Sequence, residues 1–230
     1  KWDFPVIIDN MMNLELLFWA SKNGGTKDMY DAAFSHSVQT MTNHFRIDGS
    51  TYHVVDYDTL TGRVKSKETH QGYANESVWA RGQAWAIYGF TMAYRETGNQ
   101  EFLRTAEKAA VWFIDHLPKD KIPYWDFLAP DTSIEEKDVS AAAIVSSALF
   151  ELSSLSKNER LKQKFYGVGV QILSSLCSPP YLAEGTNSQG ILNHAVGNHP
   201  KNSEINVSLI YADYYFLEAI LRYQQTTKIY

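Results

Sequence analysis

Four stretches of this chain, beginning near residues 5, 76, 138 and 204, are apolar on nearly every side of a helix. A helix of that kind has no face to give to water and must be enclosed by other elements. Each of the first three is followed, after a tight turn, by a stretch that is apolar on one side only and packs with its back to solvent. Long polar connections at 47–75, 118–137 and 178–202 then lead to the next enclosed helix. Inner helices alternating with outer ones describe a toroid of helical hairpins, an all-α architecture. Its period of about 60–75 residues exceeds that of tetratricopeptide or armadillo repeats. The long loops all fall where the inner helices begin, so the positive ends of those helices converge on one opening suited to an anionic ligand.

Local chemistry marks the boundaries. The first inner helix reads as 5–21, with Pro5 in its first turn and Asn23-Gly24-Gly25 at its end. Thr26 caps an outer helix over 27–45. Residues 51–57 alternate like a strand, 58–62 carry turn residues, and 63–69 pair back as a hairpin. The second inner helix spans 76–95, and Asn99 caps an outer helix to 117. Asp138 caps the third inner helix, 156–158 turns, and 159–177 is a helix interrupted by Gly167 and Gly169. Ser203 caps the last, which ends at 223. The triplet Trp-Asp-Phe stands at 2–4 and 125–127, each time ahead of an inner helix, in support of the repeat. Seven helices do not close a two-layer ring of about twelve, so residues 1–230 read as one domain with about five helices missing on its N-terminal side.

A formal charge of -5 with no dense basic cluster excludes a phosphate-tracking surface, hence nucleic-acid binding. Cys177 is the sole cysteine, which rules out intrachain disulfides and thiolate metal sites; within its apolar run it reads as a small buried hydrophobe. No apolar run reaches the length of a membrane span, and the start carries no signal-like segment. A chain without an initiating Met, beginning almost on a helix, reads as a trimmed piece, and its compartment, bacterial periplasm or cytoplasm, stays open. Six Trp and fourteen Tyr favour a site for flat ligands such as carbohydrates.

The richest stretch is 69–90. On a helix, Ser77, Arg81 and Trp85 fall on one face, with Trp79 offset. A guanidinium among aromatics needs a partner, either a carboxylate-bearing ligand such as an acidic sugar or a carboxylate of the chain such as Glu76. Asp9, in an early turn of an apolar helix, is a carboxyl whose burial would raise its pKa towards general-acid work; the alternative is a carboxylate satisfied by the helix start or by Asn10 and Asn13. His53 lies on the strand-like part of the loop leading to Arg81, and His70-Gln71 suits hydrogen bonding to sugar hydroxyls. Asp126, Asp138 and Asp213 read as caps or core partners. His36, His44, His116, His194 and His199 show no ligand spacing, so a metal site has no support. The triplets at Asn75 and Asn206 match glycosylation acceptors and fall at helix starts.

The segments PVIIDNMMNLELLFWA, STYH, THQGYANESVWARGQAW and SLIYADYYFLEAI, in this order along essentially the whole chain, closely resemble the unsaturated glucuronyl hydrolases of glycoside hydrolase family 88. The resemblance implies an incomplete (α/α)6 barrel. It also implies, with no cofactor, removal of a 4,5-unsaturated uronic acid from the non-reducing end of oligosaccharides left by polysaccharide lyases. Asp9 then corresponds to the acid/base. His53, Gln71, Arg81 and Trp85 fall on sugar-binding positions, Arg81 near the uronate carboxylate and Trp85 stacking. The family's second active-site aspartate belongs to a segment this chain does not contain. Members favouring sulfated chondroitin products carry Arg where this chain has His70, and a Ser-x-x-Ser-x-Lys pattern where it has AVGNHP at 195–200, which implies a preference for unsulfated or lightly sulfated substrates. A related family acting on unsaturated rhamnogalacturonan is the nearest alternative, and a non-catalytic carbohydrate-binding toroid is an alternative of another class.

Overall fold

A computed structural model describes residues 2–130 and 133–227. Three helical hairpins follow one another: α1 (Asn10–Lys22) with α2 (Lys27–Asn43), α3 (Ala80–Thr97) with α4 (Gln100–Asp115), and α5 (Val139–Leu155) with α6 (Glu159–Leu176). A single helix, α7 (Ile210–Thr227), ends the arc. The α1, α3, α5 and α7 helices pack side by side as an inner row, and α2, α4 and α6 each lie behind their own hairpin partner. Of the expected caps, Asn99 and Asp138 form, Thr26 makes no side-chain bond to its helix and Ser203 lies in a strand; Asn158, read as part of a turn, caps as well. Asn99 accepts from the Glu101 N–H, Asp138 from Ser140, and Asn158 from Arg160 and Leu161, each worth about 1 kcal/mol.

Helices α3 and α5 are enclosed, as their composition requires, with Ala80–Ala93 and Val139–Phe150 buried throughout. At the α1–α3 crossing a side chain on Gly89 would sit 2.4 Å from Met11 Cβ, so that glycine sets how close the two helices come. The ends of the arc differ. On α1, Leu16 is 68% and Trp19 59% exposed, and on α7 Ile210 is 85% and Leu221 57% exposed. Nearly all-apolar helices here bury one side only, because among the described residues no neighbour stands on the other.

Three of the expected helix starts move. Residues 4–7 form a strand, β1 (Phe4–Ile7), which pairs antiparallel with β2 (Val54–Tyr57), itself paired with β3 (Val64–Glu68) in the hairpin the sequence predicts. Pro5, which has no N–H, is tolerated because β1 is an edge strand. The second inner helix starts at Ala80, since Val78 and Trp79 are extended and pair with residues 125–127: Phe127 N–H reaches Val78 O at 3.0 Å, and Ala80 N–H reaches Trp125 O at 2.9 Å. Ser77 and Trp79 therefore share no helix face with Arg81 and Trp85. The last helix starts at Ile210, because β5 (Ser203–Val207) pairs with β4 (Ala195–Asn198). Cys177 is exposed, just past the end of α6, rather than buried. The two Trp-Asp-Phe triplets have unlike surroundings: Phe4 is exposed on β1, whereas Trp125 and Asp126 are buried. Within the 118–137 connection, 131 and 132 lie outside the described residues.

At the C-terminal ends of the inner row, charges from all four helices interlock. Arg95 of α3 binds Glu15 of α1, its neighbour Glu96 at 2.9 Å and Glu151 of α5 at 2.6 Å. Arg222 of α7 binds the same Glu151 at 3.0 Å and Glu218 at 3.6 Å. This lattice floors the arc at the end opposite the long loops. Among the described residues, no helix is long and apolar enough to cross a membrane.

Candidate active site

Strand β1 ends at Ile7, and the next N–H, of Ile8, bonds to the His53 carbonyl at 3.0 Å just before β2. That pairing puts Asp9 beside His53. Asp9 occupies the position ahead of α1 in helical backbone conformation, and its side chain makes no capping bond, so the carboxyl is turned away from its own helix. The sequence placed it inside the helix; its isolation comes from the strand-to-helix corner.

His53 is buried and stacks on Trp79 with ring centroids 4.3 Å apart. Its Nδ1 accepts the backbone N–H groups of His70 and Gln71, both at 3.2 Å. An imidazole nitrogen accepting two N–H bonds carries no proton, so the hydrogen resides on Nε2. Nε2 faces Asp9 Oδ2 at 3.6 Å, and neither atom has another partner among the described residues. Burial, with the positive surroundings adding to it, holds His53 down at about 3, so the ring is neutral across the physiological range. Burial likewise raises Asp9 to about 6, with the Arg81 charge and hydrogen bonding, including that from Trp85, pulling the other way.

Arg81 finds its carboxylate 57 residues away. NH1 donates to Asp138 Oδ2 at 3.1 Å, to the Val196 carbonyl at 2.5 Å and to Ser140 Oγ at 3.3 Å, and NH2 donates to the Gly197 carbonyl at 2.7 Å. Its guanidinium carbon lies 4.6 Å from the Trp79 ring and 5.3 Å from Tyr211. Glu76, the partner the sequence offered, instead approaches Arg46 at 3.9 Å. No described residue takes the Nε hydrogen of Arg81 or the second hydrogen of NH2, and the arginine borders the cavity. Gln71 closes the same corner, its Nε2 donating to the Gly197 carbonyl at 2.9 Å.

These groups border a cavity of about 430 Å³. Asp9, Gln71, Arg81 and Trp85 line it, together with Met12 and three tyrosines of α7, Tyr211, Tyr214 and Tyr215. Trp85 is packed edge-on against Tyr88 and Tyr215, at 6.3 and 5.1 Å. His53 stands behind Asp9. His70 lies outside, edge-on to the Trp2 ring at 5.8 Å. The sequence reading missed the tyrosines, although their spacing at i, i+3 and i+4 on the first turns of a helix was a usable signal. A larger cavity, about 670 Å³, lies between α2 and the sheet, but its lining carries no buried carboxyl facing a cation. Asp126 and Asp213 are core partners as expected, Asp126 taking the Ser77 hydroxyl at 2.6 Å and Asp213 the N–H groups of Ile191 and Leu192 at 3.0 Å.

No protein-family model matches the chain. Curated relatives do. It is 51% identical over 97% of its length to an unsaturated glucuronyl hydrolase of Formosa agariphila, and 33% identical over 97% to an unsaturated chondroitin disaccharide hydrolase of Streptococcus pyogenes. Among solved structures, it superposes on an unsaturated glucuronyl hydrolase specific for heparin with a TM-score of 0.94 at 50% identity, covering 99% of this chain and 62% of that one. The enzyme of Bacillus sp. GL1, described as responsible for the degradation of glycosaminoglycan, gives 0.90 at 32% identity, covering 97% and 59%. The chain spans 56% of the length of both curated relatives. The arc of hairpins is thus a portion of an α/α barrel. In sequence along nearly all its length, and in the fold that sets Asp9 against Arg81, this chain belongs to the unsaturated glucuronyl hydrolases.

Proposed function

We propose that the chain is the C-terminal part of an (α/α)6 domain that hydrates the double bond of a 4,5-unsaturated uronic acid at the non-reducing end of glycosaminoglycan-derived oligosaccharides. The observation that carries this is Asp9: a buried carboxyl of pKa about 6, open to a cavity and backed by a neutral histidine. Hydration of a vinyl ether needs one group that first gives a proton and then takes one, and a carboxyl poised near neutrality does both. Protonated Asp9 delivers its proton to C4. Water adds at C5 as the resulting Asp9 carboxylate accepts its proton, and the hemiketal opens to release the remaining sugar. His53 Nε2–H steadies the carboxylate half of that cycle. Arg81, through its unused Nε and NH2 hydrogens, receives the uronate carboxylate, and Trp85 with the tyrosines of α7 forms the apolar walls.

On substrate choice, the connection at 195–200 offers neither serine nor lysine to a sulfate, which supports unsulfated or lightly sulfated disaccharides. The relative described as specific for heparin makes heparin-derived disaccharides the necessary comparison. The test uses the full-length protein, wild type and Asp9→Asn, with unsaturated disaccharides from hyaluronan, chondroitin, heparin and rhamnogalacturonan, and follows the ultraviolet absorbance of the C4=C5 bond. Absorbance is expected to fall with wild type only, fastest on unsulfated glycosaminoglycan products. Rates above about pH 6 should decline as Asp9 loses the proton it donates. Loss of absorbance at equal rates in wild type and Asp9→Asn would remove Asp9 from the mechanism. Turnover confined to the rhamnogalacturonan product would replace the substrate class.

A further inference from the structure

Asp138 is fully buried, and its carboxylate gathers three elements at once. Oδ1 accepts the N–H and the hydroxyl of Ser140 on α5, at 3.0 and 2.6 Å, and faces the Val196 N–H of β4 at 3.4 Å. Oδ2 accepts from Arg81 of α3 at 3.1 Å. The same guanidinium also binds the Val196 and Gly197 carbonyls, so Asp138, Arg81 and β4 form one closed triangle.

Around Asp9, α3 supplies Arg81, the turn before β2 supplies His53, and α7 supplies Tyr211. His53 is neutral, and burial pushes the Tyr211 hydroxyl up to about 12, so it too is uncharged. Glu204 of β5 acts on Tyr211 but is not among the charges that act on Asp9. The charge that acts directly on Asp9 is therefore that of Arg81, the group Asp138 pairs with.

We infer that Asp138 is a positioning residue of this site, holding Arg81 and β4 in place and setting how much of the guanidinium's charge the acid/base carboxyl feels. It does not itself line the cavity and acts through Arg81, which does. The inference deepens the proposed hydration chemistry and rests on it for its kinetic consequence, but the placement of Asp138 stands on geometry alone.

The test titrates Asp9 in the full-length protein by carbon-13 NMR of labelled aspartate carboxyls, assigned with Asp9→Asn, and needs no substrate. Asp138→Asn keeps the shape and removes the charge. The Asp9 midpoint is expected to fall by about one pH unit. The alkaline limb of the kcat profile should move down with it, while KM for the anionic sugar does not rise. A loss of kcat that is equal at every pH, with the Asp9 midpoint unmoved, would make Asp138 merely structural and overturn the inference. If circular dichroism shows that Asp138→Asn does not fold, Ser140→Ala decides. Ser140 Oγ holds Asp138 at 2.6 Å and faces Arg81 only at 3.3 Å, so its loss acts mainly on Asp138 and leaves that carboxylate a stronger counterion to Arg81; the Asp9 midpoint should rise by a few tenths of a pH unit, and an unchanged midpoint overturns the inference. Because the midpoint is read without turnover, its failure is separable from failure of the hydration chemistry.

Discussion

Asp9 carries a stability signature as well as the chemical role proposed for it. Its folded pKa of about 6 lies above the ordinary carboxyl value of 3.8, so folding favours the protonated form. The residue therefore costs nothing at low pH and penalises the native state progressively as pH rises through 6, by up to about 3 kcal/mol. Asp9→Asn should unfold at the same urea concentration as wild type near pH 4 and at a higher one near pH 7.5. Equal midpoints at both pH values would mean that the carboxyl is not held in its protonated form. That Asp9 is isolated among apolar neighbours was legible in the chain, and so was the need of Arg81 for a partner. The identity of the partner was not, because the hydrogen bond to Asp138 closes a separation of 57 residues that no local spacing encodes. The paired N–H groups of His70 and Gln71 that fix the His53 tautomer are equally invisible, being backbone atoms of a turn.

Among the elements, the inner helices were the easiest to read and their starts the hardest. A short apolar run such as FPVI fits a buried helix and a strand equally well, and only the presence of β2 beside it decides. The extended residues before α3 and the β5 strand before α7 have the same origin, since each is drawn out of a helix by a partner far along the chain. Where helices meet, the glycines separate two cases that composition treats alike. Gly89 faces Met11 at a distance no side chain tolerates, whereas Gly167 on α6 has nothing within 4 Å of where a methyl would be. Gly89→Ala should lower stability by about 1–3 kcal/mol. Gly167→Ala should raise it by about 0.5–1 kcal/mol, as alanine does in an open helix position. Urea melts of the two variants beside wild type check both signs, and a stable Gly89→Ala would mean that α1 and α3 stand further apart.

At the scale of the whole molecule, the two ends of the arc expose apolar residues in rows, Leu16 and Trp19 on α1 and Ile210, Leu217 and Leu221 on α7. Rows of this kind are faces awaiting a neighbour. The 230-residue chain expressed alone is expected to associate and to bind a hydrophobic dye. Replacing Trp19 and Leu221 together by Lys should reduce both effects, and a dye-silent monomer at high concentration would show the faces to be harmless as they stand. The lattice of Arg95, Arg222 and their glutamates has a different consequence. Because Arg95 and Arg222 share Glu151, helices α3, α5 and α7 meet there on one keystone, and α1 is tied in through Glu15. A keystone of this kind bears on every stave it touches: loosening it frees α3, α5 and α7 together rather than one at a time.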